Sequence, residues 1–216
     1  MTYSLLIPMH LLKACLVNNM KIVIATHNKH KLKEFNRILL PLQIEAISEN
    51  ELPNPLPEVE ETGTTLKENA RLKAESACQA TGMPAVADDT GLCIDALNGE
   101  PGVYSARYAP DELKTKVILE KMNGVPFEKR TARFICSICC VFPNGDVITV
   151  EGSCEGKISM EERGETGFGY DPVFECPDGQ TFAEMKPEEK DAYSHRGKAL
   201  LLFKEKLETY QREKCL

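Results

Sequence analysis

The chain has 216 residues, of which 42% are hydrophobic and 27% charged, an ordinary composition for a folded protein. This length can bury a sizeable core, and one domain is the default expectation. No stretch approaches the roughly 18–20 apolar residues that a membrane-spanning helix needs. The net charge of −7 argues against a broad surface for nucleic acid or anionic lipid. We therefore expect no nucleic acid and no membrane partner, and an anionic substrate would need a local basic cluster or a metal ion.

The nine cysteines are an odd number, and most of them lie in apolar runs. A reduced, cytoplasmic protein explains this better than a disulfide framework does. Cys136 and Cys139 have the spacing of a metal motif, but they lie in an apolar run without a second such pair. Core packing is therefore the favoured interpretation of these two residues.

Residues 1–19 are apolar but contain Pro8, His10 and Lys13. They lack the basic start and the small-residue cleavage site of a secretory signal. Met20 directly precedes the first predicted strand. We expect residues 1–19 to be an N-terminal extension outside the fold and residues 20–216 to form the domain. An added amphipathic helix docked on the body is the alternative.

The first part of the domain predicts strands that alternate with helices. The apolar run at 21–25 is typical of a strand buried on both faces. Residues 26–31 predict a polar turn, and apolar residues at helical spacing then continue to Pro41. A second strand is predicted at 44–47. Residues 49–63 contain three prolines and five glutamates, which predict a long, stiff, acidic loop.

Thr65 and Glu68 form a T-x-x-E capping box, which predicts a helix that ends at Gly82. Apolar patterns and turn signals predict the remaining elements: a brief strand at 85–87, a helix at 111–123, a hairpin of strands at 133–142 and 147–155, a glycine-rich loop at 164–172 and a last helix at about 195–210. Because a hairpin interrupts the alternation of strands and helices, the pattern predicts an α/β protein with a mixed sheet and helices on its faces.

The segment THNKHK at 26–31 connects a predicted strand to a predicted helix. At this place in an α/β protein, backbone N–H groups and a helix N-terminus can bind an anion. Lys29, His30 and Lys31 add positive charge, although the P-loop pattern is absent. A solvated basic helix start is an equally weighted alternative.

Asp88 and Asp89 follow an apolar run and precede Thr90. Two carboxylates at the end of a strand suit Mg²⁺, and one of them can orient or deprotonate a water molecule. An Asx-turn is the alternative. Groups that suit a metal–phosphate complex lie at the ends of nearby predicted elements: Glu60, Glu61, Glu68, Asn69 and Lys73.

The loop GFGYDP at 167–172 combines glycine backbone with two aromatic rings and a carboxylate. Such a loop can enclose a flat polar ring, or it can be a structural turn between strands. Arg196 lies at the start of the last predicted helix, and Lys190 lies just upstream. Both cations can therefore meet an anion or a base carbonyl.

Six motifs occur in order along the chain: T-x-N-x-x-K, E-T-G-x-T-x-x-E-N-A-x-x-K-A, A-D-D-T-G-L, G-x-P-G-x-Y-S-A-R-Y, G-F-G-Y-D-P and S-H-R-G. Together they resemble the inosine triphosphate pyrophosphatase family, from about residue 21 to residue 207. The resemblance implies cleavage of ITP, dITP and XTP to the monophosphate and pyrophosphate with Mg²⁺. It also implies an elongated mixed sheet, two lobes around a central substrate cleft, and a homodimer.

The resemblance also implies roles for individual residues. Asp89 would be the catalytic carboxylate and a metal ligand, and Glu61 would be the second metal ligand, with Glu60 less sure. Phosphates would contact segment 26–31 and Lys73, and the purine would lie among residues near the end of the chain. The full substrate-binding set is Thr26, His27, Asn28, Lys29, His30, Lys31, Lys73, Thr90, Phe168, Gly169, Tyr170, Asp171, Lys190, His195 and Arg196.

The chain departs from the family pattern at His27, where glycine is usual. A side chain there would either crowd the phosphates or contribute another anion contact, and we expect activity to survive because Asn28 and Lys31 remain. Two alternative functions stay open: a pyrophosphatase for other modified nucleotides, and a nucleotide-binding sensor without turnover. A donor such as Arg196 or a backbone N–H would pair with a 6-oxo purine and lose its partner with ATP.

Overall fold

The computed structural model describes residues 20–42 and 44–214. Its strands are β1 (Lys21–Ile24), β2 (Glu45–Ser48), β3 (Ala85–Ile94), β4 (Thr131–Val141), β5 (Val147–Ile158) and β6 (Phe174–Glu175). Its α-helices are α1 (Lys29–Leu39), α2 (Leu66–Thr81), α3 (Lys114–Lys121), α4 (Pro187–Tyr193) and α5 (His195–Lys214). Among these residues, no helix is both long and apolar enough to cross a membrane.

The six strands form one mixed sheet in the order β2-β1-β3-β4-β5-β6. The pairs β2–β1 and β1–β3 are parallel, and all later pairs are antiparallel. This arrangement confirms the predicted α/β class. The parallel part contains the early strand–helix units, and the antiparallel part contains the predicted hairpin of β4 and β5.

The core is divided between two lobes. In the first lobe, α1 and α5 pack on one face of the sheet around Phe35 and Phe203, and α2 packs on the opposite face through alanines such as Ala70 and Ala74. In the second lobe, α3 and the chain around β6 enclose an aromatic cluster that contains Phe134. Since β4 and β5 contribute to both clusters, the two lobes share one continuous sheet.

Helix α1 begins at Lys29, so the prediction of a turn through residue 31 is wrong. The Asn28 side chain caps the helix by accepting from the backbone N–H groups of His30 (2.9 Å) and Lys31 (3.2 Å). Asparagine is one of the preferred residues at this position. Helix α2 has the predicted limits, because Thr65 and Glu68 form the capping box and Gly82 ends the helix at a φ of 65°.

Strand β3 is longer than predicted, and it contains Asp88 and Asp89 in its middle rather than at its end or in an Asx-turn. The physical reason is the partner strand β4, which pairs with β3 along its whole length, including Asp89 opposite Ser137. On the other side, the pairing with β1 stops at Ile24 and Val86. The two carboxylates therefore lie just beyond the end of the parallel neighbour, where the sheet opens.

Candidate active site

Two cavities of the protein meet where the side chains of Lys73 and Asp89 form a hydrogen bond. A smaller cavity of about 270 Å³ is lined by Asp89 and by residues of the glycine-rich loop and the start of α5. A larger cavity of about 550 Å³ is lined by Lys73 and by the acidic loop before α2. Lys73 Nζ donates to Asp89 Oδ1 at 3.1 Å, so this pair marks the boundary between the two cavities.

Lys73 connects two carboxylates from different elements. Besides Asp89, its ammonium group donates to Glu61 Oε1 at 2.7 Å, and Arg107 donates to Glu61 Oε2 at 2.8 Å. The second oxygen of Asp89 accepts from Asn69 Nδ2 at 3.3 Å. A helical position four residues before Lys73 thus brings Asn69 to the same site.

Burial and charge affect these groups in opposite directions. Burial raises the pKa of Asp89 despite the neighbouring Lys73 ammonium. Burial would also raise the pKa of Glu61, but its bonds to Lys73 and Arg107 outweigh this and lower it. For Lys73, burial works against the charged form, and the carboxylates led by Asp89 raise its pKa nevertheless.

Asp88 is a buried partner for two cations. Its Oδ2 atom accepts from Lys31 Nζ (2.8 Å), Arg196 Nε (3.3 Å) and Thr90 Oγ1 (3.1 Å). Burial opposes its ionisation, but Lys31 and Arg196 outweigh this effect and hold the pKa of Asp88 well below its usual range. Asp88 therefore connects the segment after β1 to the start of α5.

Glu34 is a site residue that the sequence analysis missed. It is 8% exposed, and it accepts from Arg196 Nη1, while Arg196 Nη2 donates to Thr90 Oγ1 at 3.3 Å. The available signal was its position three residues after Lys31, which places both side chains on one side of α1.

The glycine-rich loop holds an aromatic ring against the first lobe. The ring of Phe168 stacks on His30, with centroids 5.0 Å apart, and Lys190 Nζ lies 4.8 Å from the centroid of Phe168. Asp171 Oδ2 accepts from the Phe168 backbone N–H and from Lys190 Nζ, each at 2.7 Å. Burial raises the pKa of Asp171 even with Lys190 beside it.

Gly167 is required by the geometry of this loop. Its φ is +82°, a conformation that favours glycine, and a Cβ atom there would lie 2.2 Å from Asp171 Oδ2. The glycine therefore permits the close approach that lets Asp171 bind the next residue in the loop.

His195 presents an unpaired nitrogen inside the protein. Its ring stacks on Phe134 with centroids 4.6 Å apart, and its Nδ1 atom is buried without a hydrogen-bond partner among the described residues. Burial, together with the charge of Arg196, lowers the pKa of His195 well below its usual value. His195 is therefore a neutral imidazole with an unpaired buried nitrogen, and its residue forms part of the wall of the smaller cavity.

Most of the predicted site residues line one of the two cavities. The smaller cavity contains Asn28, His30, Lys31, Asp89, Thr90, Phe168, Gly169, Tyr170, Asp171, Lys190, His195 and Arg196. The larger cavity contains His27, Glu60, Glu61 and Lys73.

Two predicted site residues lie outside both cavities, and four residues that were not predicted line the smaller one. Thr26 accepts from the Asn28 backbone N–H at 3.2 Å, and neither it nor Lys29 lines either cavity. His27 Nδ1 lies 2.7 Å from Glu49 Oε2. The lining residues that were not predicted come from the chain after β3 and from the first residue of α3: Ser105, Ala106, Asp111 and Lys114.

Comparisons with known proteins give consistent matches over most of the chain. A sequence model of the Ham1 family matches residues 22–206. A Desulforamulus reducens protein named dITP/XTP pyrophosphatase is 50% identical over 186 residues, which cover 84% of this chain and 92% of the relative. A Geobacillus kaustophilus protein of the same name is 47% identical over 193 residues, covering 87% and 94% of the two chains. The solved structure of the Staphylococcus aureus Ham1 protein aligns with a TM-score of 0.78 at 40% identity, covering 88% of this chain and 99% of that one.

Proposed function

Because the chain belongs to the Ham1 family, we propose that it is a hydrolase of nucleotide metabolism. It converts non-canonical purine nucleoside triphosphates (ITP, dITP and XTP) to the monophosphate and pyrophosphate. The names of its relatives support this substrate class. The observation that carries the proposal is the meeting of two cavities at Asp89 and Lys73. The nucleoside monophosphate part fits the smaller cavity, the pyrophosphate part fits the larger one, and the bond between them lies at the boundary.

Asp89 orients and deprotonates the attacking water in this proposal. Burial raises its pKa, so the ionised carboxylate is a stronger base than a solvated aspartate. Lys73 holds Oδ1, and we assign the water to Oδ2, whose bond to Asn69 is long at 3.3 Å. Lys31 and Lys73 stabilise the charge that develops on the phosphates, which is the main demand of phosphoryl transfer.

The start of α5 supports discrimination between purines. The three side-chain nitrogens of Arg196 donate to Asp88, Glu34 and Thr90, which fixes the guanidinium group, and Nη1 and Nη2 each retain a second hydrogen. We assign one of these hydrogens to the 6-oxo group of hypoxanthine or xanthine. The 6-amino group of adenine would leave that donor unpaired at a cost of about 1–3 kcal/mol.

A divalent cation fits the chemistry of the larger cavity. Glutamates line it, namely Glu49, Glu58, Glu60 and Glu61, and they would repel pyrophosphate unless a cation neutralises them. Among the described residues, no group of three His, Cys, Asp or Glu side chains is arranged to hold a metal by itself. Mg²⁺ commonly binds one or two carboxylates together with substrate phosphates, so we propose Mg²⁺ with Asp89 and Glu61 as its protein ligands. When bound, it would neutralise phosphate charge.

Assembly and compartment are further proposals. The resemblance to the inosine triphosphate pyrophosphatases supports a homodimer, and exposed apolar side chains such as Leu40, Tyr104 and Met160 offer surface for a second copy. The cysteines of the described residues are all free, which supports a reduced, cytoplasmic environment. Size-exclusion chromatography with light scattering tests the dimer directly.

A phosphate-release assay tests the activity. The protein is incubated with ITP, dITP, XTP, ATP, GTP and modified pyrimidine triphosphates, with and without added inorganic pyrophosphatase. We expect phosphate from ITP, dITP and XTP only when the second enzyme is present, and no turnover in EDTA. Equal turnover of ATP and ITP, or a preference for pyrimidines, contradicts the substrate assignment. Binding without turnover identifies a sensor instead.

A further inference from the structure

We infer that Lys114 is a further substrate-binding residue and that its ammonium group binds the α-phosphate of the nucleotide. The inference rests on the proposed function, since it assigns a residue to the same site. Lys114 begins α3 in the second lobe, and its side chain is 8% exposed. It lines the smaller cavity together with Asp89 and Tyr170. A buried cation in the wall of a cavity is a strong anion-binding group.

The ion pairs of the other cations that line this cavity show why Lys114 is available. Lys31 contacts Asp88, whose side chain is 1% exposed, and Lys190 contacts Asp171, whose side chain is 5% exposed. Lys114 contacts Asp111 at 2.5 Å, but the Asp111 side chain is 87% exposed. Lys114 forms no other salt bridge among the described residues. A pair with a solvated carboxylate is weak, so Lys114 can exchange it for a phosphate oxygen at little cost.

The position of Lys114 indicates which phosphate of the substrate it binds. Its Nζ lies 5.9 Å from the centroid of Tyr170, and Tyr170 Oη donates to the backbone of Ser105 at 2.9 Å. Lys114 therefore lies on the side of the smaller cavity formed by the second lobe, and it shares that cavity with Asp89, the residue at the boundary. In the proposed division of the substrate, the anionic group of this half is the α-phosphate. After cleavage, the same group is the phosphate of IMP.

The test measures binding of IMP, inosine and pyrophosphate by isothermal titration calorimetry in the presence of Mg²⁺. Lys114→Met keeps the apolar stem and removes the charge, and Lys116→Met is the matched control because Lys116 is exposed on the same helix. We expect Lys114→Met to weaken IMP binding by about tenfold or more, the effect of losing a charged hydrogen bond. Inosine and pyrophosphate binding should stay unchanged, and Lys114→Arg should restore much of the IMP affinity.

Asp111→Asn separates binding from a structural role. If Lys114 binds the phosphate, removing the carboxylate leaves IMP affinity unchanged or raises it, because the cavity loses a negative charge. If the Lys114–Asp111 pair only holds the start of α3, Asp111→Asn weakens IMP binding as much as Lys114→Met, and the inference is wrong. An equal loss of inosine and IMP affinity in Lys114→Met also overturns it.

Failure of this inference differs from failure of the proposed function. A wild-type protein that hydrolyses ITP together with a Lys114→Met variant of normal IMP affinity rejects Lys114 alone. A wild-type protein that neither hydrolyses ITP nor binds IMP rejects both. Melting temperatures are measured for every variant, and Lys114→Gln replaces Lys114→Met in the comparison if the methionine variant does not fold.

Discussion

Asp88 and Asp89 are adjacent in sequence but have opposite electrostatic environments. They alternate in direction along β3, as successive strand residues do. Asp88 meets Lys31 and Arg196 inside the protein, whereas Asp89 lines the smaller cavity and bonds Lys73. The alternation of a strand thus gives two identical side chains different roles, one in structure and one, by our proposal, in catalysis.

We predict that Asp89→Asn nearly abolishes hydrolysis and leaves the fold intact. Asparagine has almost the same shape, so packing is kept, but it lacks the charge and basicity that align the water. Loss of a general base costs about 10²–10⁴-fold in rate, and weaker metal binding adds to this. The measurement is kcat with ITP at saturating Mg²⁺. The smallest loss expected for a general base is about 10²-fold. If the variant retains more than about a tenth of the wild-type kcat, its loss is smaller than that, and Asp89 is not the catalytic base.

Asp88→Asn is the matched comparison, and it should differ in what it damages. Removing this charge leaves the buried Arg196 and the half-buried Lys31 with less compensation, and breaking a buried pair costs about 3–5 kcal/mol of stability. We therefore expect a lower melting temperature in Asp88→Asn and an unchanged one in Asp89→Asn. The opposite order would contradict the assignment of the two roles.

His195 predicts a pH dependence of stability. Its pKa is lowered in the folded protein, whereas the unfolded chain binds a proton below about pH 6.5. The unfolded state therefore gains protons first as the pH falls, and stability is lost below about pH 6.5 at up to about 1.4 kcal/mol per pH unit from this group. Urea unfolding of wild type and His195→Gln between pH 7 and pH 5 should give a shallower slope for the variant. Parallel slopes would show that His195 does not contribute.

At the scale of elements, the contact between β5 and α5 positions two residues of the proposed purine site, His195 and Arg196. A Cβ atom on Gly152 would lie 2.4 Å from the His195 carbonyl oxygen and 2.5 Å from the Ala199 nitrogen. Glycine therefore allows the start of α5 to lie directly on the strand, and this places His195 and Arg196 at the cavity wall.

We predict that Gly152→Ala moves the start of α5 and raises KM for ITP. The added methyl group overpacks the contact, which costs about 1–3 kcal/mol of stability. Ser153→Ala is the matched control, because Ser153 is the next residue of β5 and its side chain is exposed. Steady-state kinetics and thermal melts should both separate the two variants. If Gly152→Ala has the KM of the control, the contact does not position the site.

Elements with local signals could be predicted from the sequence, whereas elements whose limits depend on a partner strand could not. The capping box of Thr65 and the hairpin of β4 and β5 follow local rules, and both are observed. The extension of β3 through Asp89 depends on pairing with β4, and β6 is a two-residue strand defined only by its partner β5.

Two site residues illustrate the same limit. Glu34 and Lys114 reach the site through helices whose positions depend on tertiary packing. Neither residue lies in a motif that the sequence analysis used, although both are charged side chains with less than a tenth of their residue area exposed.

At the scale of the whole molecule, one sheet supports both halves of the proposed substrate site. β3 pairs with β1 only through Val86, and shortly beyond that point Asp89 and Thr90 line the smaller cavity. The first lobe supplies Lys31 and Lys73, and the second supplies Tyr170 and Lys114. Because both lobes share β4 and β5, one continuous sheet joins the two sides of the cleft.

The N-terminal limit of the fold gives the last prediction. Met20 packs against the core cluster of the first lobe, and its carbonyl oxygen accepts from the Glu45 backbone N–H at 3.0 Å. The next residues supply Ile22, Val23 and Ile24, all fully buried, and the family match begins at residue 22. A protein that starts at Met20 should therefore keep the melting temperature and the ITP hydrolysis rate of the full chain. A protein that starts at Ile24 loses most of β1, so it should unfold at a much lower temperature. If removal of residues 1–19 lowers the melting temperature by several degrees or removes much of the activity, those residues belong to the working protein, and the domain limit at Met20 is wrong.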